Sequence, residues 1–271
     1  MSRSLIFSLL FVALAPITTF AAPKSELWSY WQQSKESSRA TISHQKWKSI
    51  LTKYLSVNSV DGVNRFDYAA VSDSDKLLLE SYLSDLQNID PRNHNRSEQF
   101  AFWINLYNAL TVQLILKHYP VSSIKQIRYW SSLFGPWNKK IAKVAGKQVS
   151  LNDIEHRILR PIWKDPRIHF AVNCASVGCP NLLPEPLDSQ SLETQLDFAA
   201  KDFLSSSRAL RIEGQALILS SIFEWYSDDF GSTEEEVMLY IKVLVDSPMS
   251  LKLDALKEIK YQYDWSLNDQ N

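Results

Sequence analysis

The chain has 271 residues, with 29 Lys+Arg against 30 Asp+Glu and a formal net charge of −1. That balance argues against phosphate-backbone binding as the main activity, so nucleic acid is not an expected partner. Six glycines, and no GxGxxG, Walker loop, GxSxG elbow or HExxH, exclude the common phosphate-cradling and hydrolytic frames.

The first 21 residues, MSRSLIFSLLFVALAPITTFA, run from Arg3 through an apolar stretch to Thr19 and Ala21, small side chains suited to cleavage after Ala21. This pattern predicts a signal peptide and an exported, periplasmic or secreted protein. No later segment reaches roughly 18 uninterrupted apolar residues, so no membrane span is expected once the signal is cut. Residues 22–46 read as a helical, aromatic-rich N-terminal arm, and 47–268 as one continuous domain. VNRFDYAAV suggests a short strand, and Leu77, Leu78, Tyr82, Leu83 and Leu86 mark a helix ending near Pro91. Residues 97–120 form the strongest helical segment, capped by Ser97, stopped by Pro120 and apolar nearly all round, hence central and buried. KKIAKVAGKQVS reads as a hairpin turning at Ala-Gly, and ALRIEGQALILS as one turning at Gly214. In SLNDIEHRILR, Ser150 and Asp153 have the spacing of a capping box, with Asp in the place of Glu. LETQLDFAAKDFL, SIFEWYSDDF and TEEEVMLYIKVLV are helical, and IKYQYDWSLN alternates as a half-buried strand. The expected class is α+β: a central buried helix packed against a mainly antiparallel sheet, with helices around it.

Chemistry-bearing residues concentrate in DPRIHFAVNCASVGCPNL, which holds both cysteines. Read as a strand, RIHFAVNC puts Ile168, Phe170, Val172 and Cys174 on one face and Arg167, His169, Ala171 and Asn173 on the other. A Cys174–His169 dyad then needs a break in the strand. Cys179, in the SVGCP turn, is the better-presented nucleophile. Five residues separate the cysteines, close enough for a disulfide in an oxidising compartment. The alternatives are a catalytic thiolate, a disulfide, a zinc site built with His169 or His156, and simple packing. Asn105 and Asn108, three apart on the apolar helix, either tie it to backbone or point into a site. His156 reads as a half-exposed helix residue at the core boundary or as a general base. Asp264 is the acid that would orient His169, and Trp225, Tyr226 and Asp229 read as packing with a local cap.

EQFAFWINLYNALTVQLIL, SLNDIEHRILR, DPRIHFAVNCASVGCPNL, LSSIFEWYSDDF and IKYQYDWSLN, in that order, resemble the domain-of-unknown-function family numbered 547, over about residues 47–268. The resemblance implies one compact domain. It puts Asn105, Asn108, His156, Arg167, His169, Cys174, Ser176, Cys179 and Asp264 at the family's motif positions without assigning them roles. A more distant likeness is to papain-like and transglutaminase-like folds, which order a central helix, a histidine strand and an acid strand in this way. Those folds carry a cysteine at the start of the helix, and residues 97–118 contain none.

These residues point to two functions. The first is a thiol- or histidine-dependent hydrolase or acyl transferase on a peptide-like substrate. In it Cys179 or Cys174 attacks, His169 is the base, Asp264 orients it, and Asn105 and Asn108 donate to the oxyanion. The second is a binding or assembly module for a small-molecule or peptide-like ligand, with a structural disulfide. Neither requires a cofactor.

Overall fold

Trp31, Trp47 and Tyr82 are almost fully buried in one hydrophobic core. The computed structural model describes residues 22–57, 59–129, 135–253, 256 and 258–270, so the expected signal peptide lies outside the described residues. The N-terminal arm is largely irregular, with a single 3-10 turn at Ser29–Trp31 before helix α1 (Gln45–Tyr54). Residues 32–44 are mostly polar and supply no apolar stripe, so helix propensity there has no face to bury. The arm instead docks by backbone: Glu26 N donates to His156 O and Trp28 N to Arg157 O, each at 2.9 Å.

Strands β1 (Leu55–Ser56) and β2 (Arg65–Phe66) pair antiparallel. Helix α2 (Asp73–Gln87) is capped by Ser72, whose side chain accepts from Asp75 N, and buries Leu79, Tyr82, Leu83 and Leu86 while Leu77 faces water. Helix α3 (Arg96–His118) starts earlier than expected, because Asn95 rather than Ser97 caps it by accepting from Glu98 N. It is buried nearly all round, as its composition required, and packs chiefly against α2 and the helical turn beyond the next hairpin.

That hairpin pairs β3 (Ala142–Val144) with β4 (Lys147–Val149) through Ala145 and Gly146, at φ 42° and 80°, the left-handed pair that a two-residue turn needs. The Ser150/Asp153 capping box forms: Asp153 N donates to Ser150 Oγ at 3.1 Å and Ser150 N to Asp153 Oδ2 at 2.8 Å. The box leads into a π-helix, Asp153–Leu159, continued by the short helix α4 (Arg160–Trp163), which stops at left-handed Lys164. π-turns widen a helix and occur often at functional sites.

RIHFAVNC is not a strand. Asp165 accepts from Arg167 N, Ile168 N donates to Asp165 O, and the chain enters a one-turn helix α5 (Ile168–Ala171) before extending at Val172. The Asp-Pro start favours this turn, and it overrides the alternation that suggested a strand. Helix α6 (Leu192–Leu204) is amphipathic as expected. Strands β5 (Leu210–Glu213) and β6 (Ala216–Ser220) form the second hairpin, turning at Gly214. Helices α7 (Ile222–Trp225), α8 (Ser227–Phe230), α9 (Glu234–Leu244) and α10 (Ser247–Leu253) come after it. Strand β7 (Glu258–Gln262) adds to β6 in parallel. The protein is α+β, with three small sheets among the described residues, the largest of them mixed. Among the described residues no helix is long and apolar enough to cross a membrane.

The C-terminal tail then closes on the cysteine loop. Val177 N, Gly178 N and Asn268 N bond to Ser266 O, Asp264 O and Ala175 O. A Cβ on Gly178 would lie 2.8 Å from Asp264 N, so only glycine allows this approach.

Candidate active site

The π-helix, α5, the cysteine loop, α7 and the tail after β7 line a cavity of about 430 Å³ that is partly open to solvent. Its walls include Tyr107 from α3, Glu155 and His156 from the π-helix, His169 from α5, and Trp225, Tyr226, Tyr263 and Trp265 from the C-terminal third. Trp137 and Asn138 line it from the segment before β3, and Ala22 and Pro23 from the start of the arm.

His169 is 2% exposed and held by contacts on more than one side. Its Nε2 lies 2.6 Å from Asp229 Oδ2, and the Tyr226 ring stacks on it with centroids 4.0 Å apart and planes 18° apart. Burial pushes the Asp229 carboxyl up, but hydrogen bonds from His169 and Arg160 and their charges outweigh it and hold the carboxyl at about 2. An ionised carboxylate can only accept, so Nε2 carries the proton. Among the described residues Nδ1 has no hydrogen-bond partner, and it lies 3.8 Å from Glu155 Oε1. An imidazole held in this tautomer has its second nitrogen ready to accept a proton.

Arg160 ties the neighbouring groups together. Its Nε bonds to Asp229 Oδ2, and Nη1 donates to His156 Nδ1 at 3.1 Å and to Pro23 O at 2.8 Å. Because arginine cannot accept, His156 Nδ1 is the acceptor and its proton sits on Nε2. Burial, opposed by Glu155 and reinforced by Arg160 and His169, brings His156 down to about 4, so its ring is neutral at pH 7. Glu155 is buried, which pushes its carboxyl up. The charges of His156, His169 and Arg160, with a hydrogen bond from Tyr226, more than offset that and leave it below the usual value. Burial raises the Tyr107 and Tyr226 phenols well above theirs, so both remain protonated donors beside Glu155.

Cys174 and Cys179 form a disulfide, and both line the cavity. Tyr263 OH lies 3.1 Å from Cys174 Sγ and 3.2 Å from Cys179 Sγ, and 2.8 Å from Ser176 Oγ. Arg208 fixes the loop from behind through Val177 O and Cys179 O. In this bonded state neither sulfur is a thiolate, so the disulfide reading of the pair is the one observed.

The other sequence-predicted residues divide clearly. His156 is not half-exposed but buried, because the π-turn rotates it inward against Arg160. Asp264 is exposed and accepts from Ser266 N; it does not orient His169, and Asp229 does. Asn105 and Asn108 are not oxyanion donors. The Asn105 amide donates to Leu187 O and accepts from Leu187 N, and Asn108 donates to Ala171 O and accepts from Asn173 N. Arg167 is outside the cavity, paired with Asp165, Glu193 and Asp197. The zinc alternative lacks a site, since among the described residues no three His, Cys, Asp or Glu side chains form a group suited to a metal ion.

Sequence reasoning missed Glu155, Arg160, Tyr226 and Asp229. Glu155 and Arg160 flank His156 within four residues, and Tyr226 and Asp229 lie in WYSDD. Rings and acids concentrated in one short segment were the available signal.

Residues 91–204 match the model of a family described as Protein of unknown function, DUF547, the family that the sequence blocks resemble. The matched stretch runs from the approach to α3 through α6 and carries Glu155, His156, His169 and both cysteines; Asp229 lies beyond it. No curated protein and no solved structure matches the chain.

Proposed function

For a chain whose residues 91–204 match a family of unknown function, we propose a histidine-dependent hydrolase or acyl transferase acting on a peptide-like amide or ester. One observation carries the reading: His169 is held by Asp229 through Nε2 while Nδ1, buried at the cavity wall, has no hydrogen-bond partner among the described residues. His169 Nδ1 takes the proton of an attacking water or acceptor hydroxyl. The imidazolium so formed lies between the Asp229 and Glu155 carboxylates, which stabilise it as it develops. The proton then passes to the leaving amine or alcohol. Tyr107 and Tyr226, both protonated, donate to Glu155 and so hold that carboxylate beside the developing imidazolium. The thiol version of the reaction would require prior reduction of the disulfide; this version does not.

We also propose that the protein acts outside the cytoplasm after cleavage behind Ala21. The support is the sequence of residues 1–21, together with a disulfide suited to an oxidising compartment. N-terminal sequencing of protein recovered from cell fractions tests this, and an intact Met1 on cytoplasmic protein would refute it.

The catalytic reading is tested by screening acyl p-nitroanilides and p-nitrophenyl esters against the wild-type protein and His169→Gln. Turnover by the wild type, lost in the variant, supports it; equal turnover by both would remove His169 from the reaction. The bonded cysteines favour a second reading, a binding module whose loop is fixed by the disulfide. Saturable binding with no turnover of any compound would select that one.

A further inference from the structure

We propose that the cavity receives an ammonium group: the substrate is an amine-bearing amide or ester whose cation sits between the Glu155 carboxylate and the aromatic wall. This names the substrate class of the His169-dependent reaction and rests on that reading of the site.

Glu155 is the only Asp, Glu, Lys or Arg among the described residues that line the cavity. Its side chain is 6% exposed. Its ion-pair neighbours are the two imidazoles, His169 Nδ1 at 3.8 Å and His156 Nδ1 at 4.0 Å. His156 is neutral at pH 7, because burial and the adjacent Arg160 bring it down to about 4. The Arg160 charge reaches Glu155, but the guanidinium is spent on the Asp229 carboxylate, the His156 ring and Pro23 O. Glu155 and Asp229 share that one guanidinium, and Glu155, held as an anion by the Arg160 charge, the imidazoles and a hydrogen bond from Tyr226, is the one of the two carboxylates that lines the cavity. A ligand cation placed against a buried carboxylate is attracted more strongly than it would be at one exposed to water.

The aromatic lining of the cavity suits the same ligand. Trp225, Tyr263 and Trp265 touch one another with centroids 4.6 to 5.5 Å apart, presenting a continuous aromatic surface. Ring faces attract cations, and more strongly where water is excluded. A neutral ligand uses the rings but gains nothing from the carboxylate, and an anionic one is repelled. The unpaired Nδ1 of His169 borders the same carboxylate, so a bound ammonium would bring an adjacent acyl group towards the base.

The test is a binding titration, independent of turnover, followed by fluorescence of the tryptophans at the cavity. The probes are n-butylammonium chloride, 1-butanol and sodium butyrate, added to the full chain and to a chain beginning at Ala22. The ammonium should bind about tenfold or more tightly than the alcohol, with butyrate weakest. Glu155→Gln should abolish that preference while leaving the alcohol's affinity unchanged. If this variant does not fold, the order of the three probes on the wild-type protein decides alone. Equal affinities for ammonium and alcohol, or tightest binding of butyrate, would overturn the proposal. So would binding that is lost in the chain starting at Ala22, since its own terminal ammonium lies at the cavity and would then be the cation it holds. His169→Gln should retain the ammonium preference even without turnover, which separates failure of this proposal from failure of the catalytic one.

Discussion

Asp229 accepts the Nε2 proton of His169 at 2.6 Å, and that single contact decides which imidazole nitrogen the cavity meets. The carboxylate is itself held by Arg160, so ring orientation, tautomer and charge are set together. Asp229→Asn should therefore lower kcat by roughly 10²- to 10⁴-fold while changing KM little, because the amide cannot stabilise the imidazolium. Steady-state kinetics on a hydrolysed compound check this. A rise in KM at constant kcat would make Asp229 a substrate-binding residue instead.

Stability should fall with acid in two separate windows. His44 and His156 are both brought down to about 4, chiefly by burial. Their unfolded rings titrate near 6.5, so below that pH the unfolded chain takes up protons first. This contribution is complete above about pH 6.5 and is lost progressively down to about pH 4, a loss of a few kcal/mol. Asp229, folded at about 2, acts lower: its contribution is present above about pH 3.8 and is lost as pH falls towards 2. Urea midpoints measured from pH 8 to 4 should decline. His44→Gln, whose site lies outside the cavity, should flatten part of that slope. A midpoint unchanged across the range would refute it.

The disulfide should be present in protein purified without reductant, seen as a mass lower by two hydrogens and as resistance to iodoacetamide. Replacing both cysteines by alanine should cost about 2 kcal/mol, since the bond closes a loop within the unfolded chain as well. Hydrolysis by unreduced protein should survive iodoacetamide. Inactivation through alkylation of Cys174 or Cys179 would return the reaction to a thiol.

Asn108→Leu should destabilise by about 2 kcal/mol or more, measured by urea unfolding. It leaves Ala171 O and Asn173 N without partners inside α3's contact with α5, next to His169. A neutral effect would mean that this backbone finds other partners.

Features settled by neighbouring residues were legible in the chain. The Ala145-Gly146 turn, the Ser150/Asp153 box and the all-round apolar face of α3 each depend on residues within a few positions, and each formed. The family resemblance was legible too, since residues 91–204 match the same family. Where two local signals competed, periodicity misled: the alternation of RIHFAVNC lost to the Asp165-Pro166 turn. The His169 partner was beyond reach for a different reason. Asp229 lies 60 residues downstream and meets the ring only through tertiary packing, whereas Asp264 sat on a strand-like polar face that suggested the role. His156 was misplaced because nothing in NDIEHRILR announces a π-turn.

The measurement closest to the central claim is the tautomer of the His169 ring, read from two-bond ¹⁵N–¹H correlations in histidine-labelled protein and assigned with His169→Gln. At a pH where the ring is neutral, the proton should be on Nε2, with Nδ1 giving the downfield signal of an unprotonated nitrogen. A proton on Nδ1 would contradict the account, since that nitrogen could then accept nothing from a substrate in the cavity.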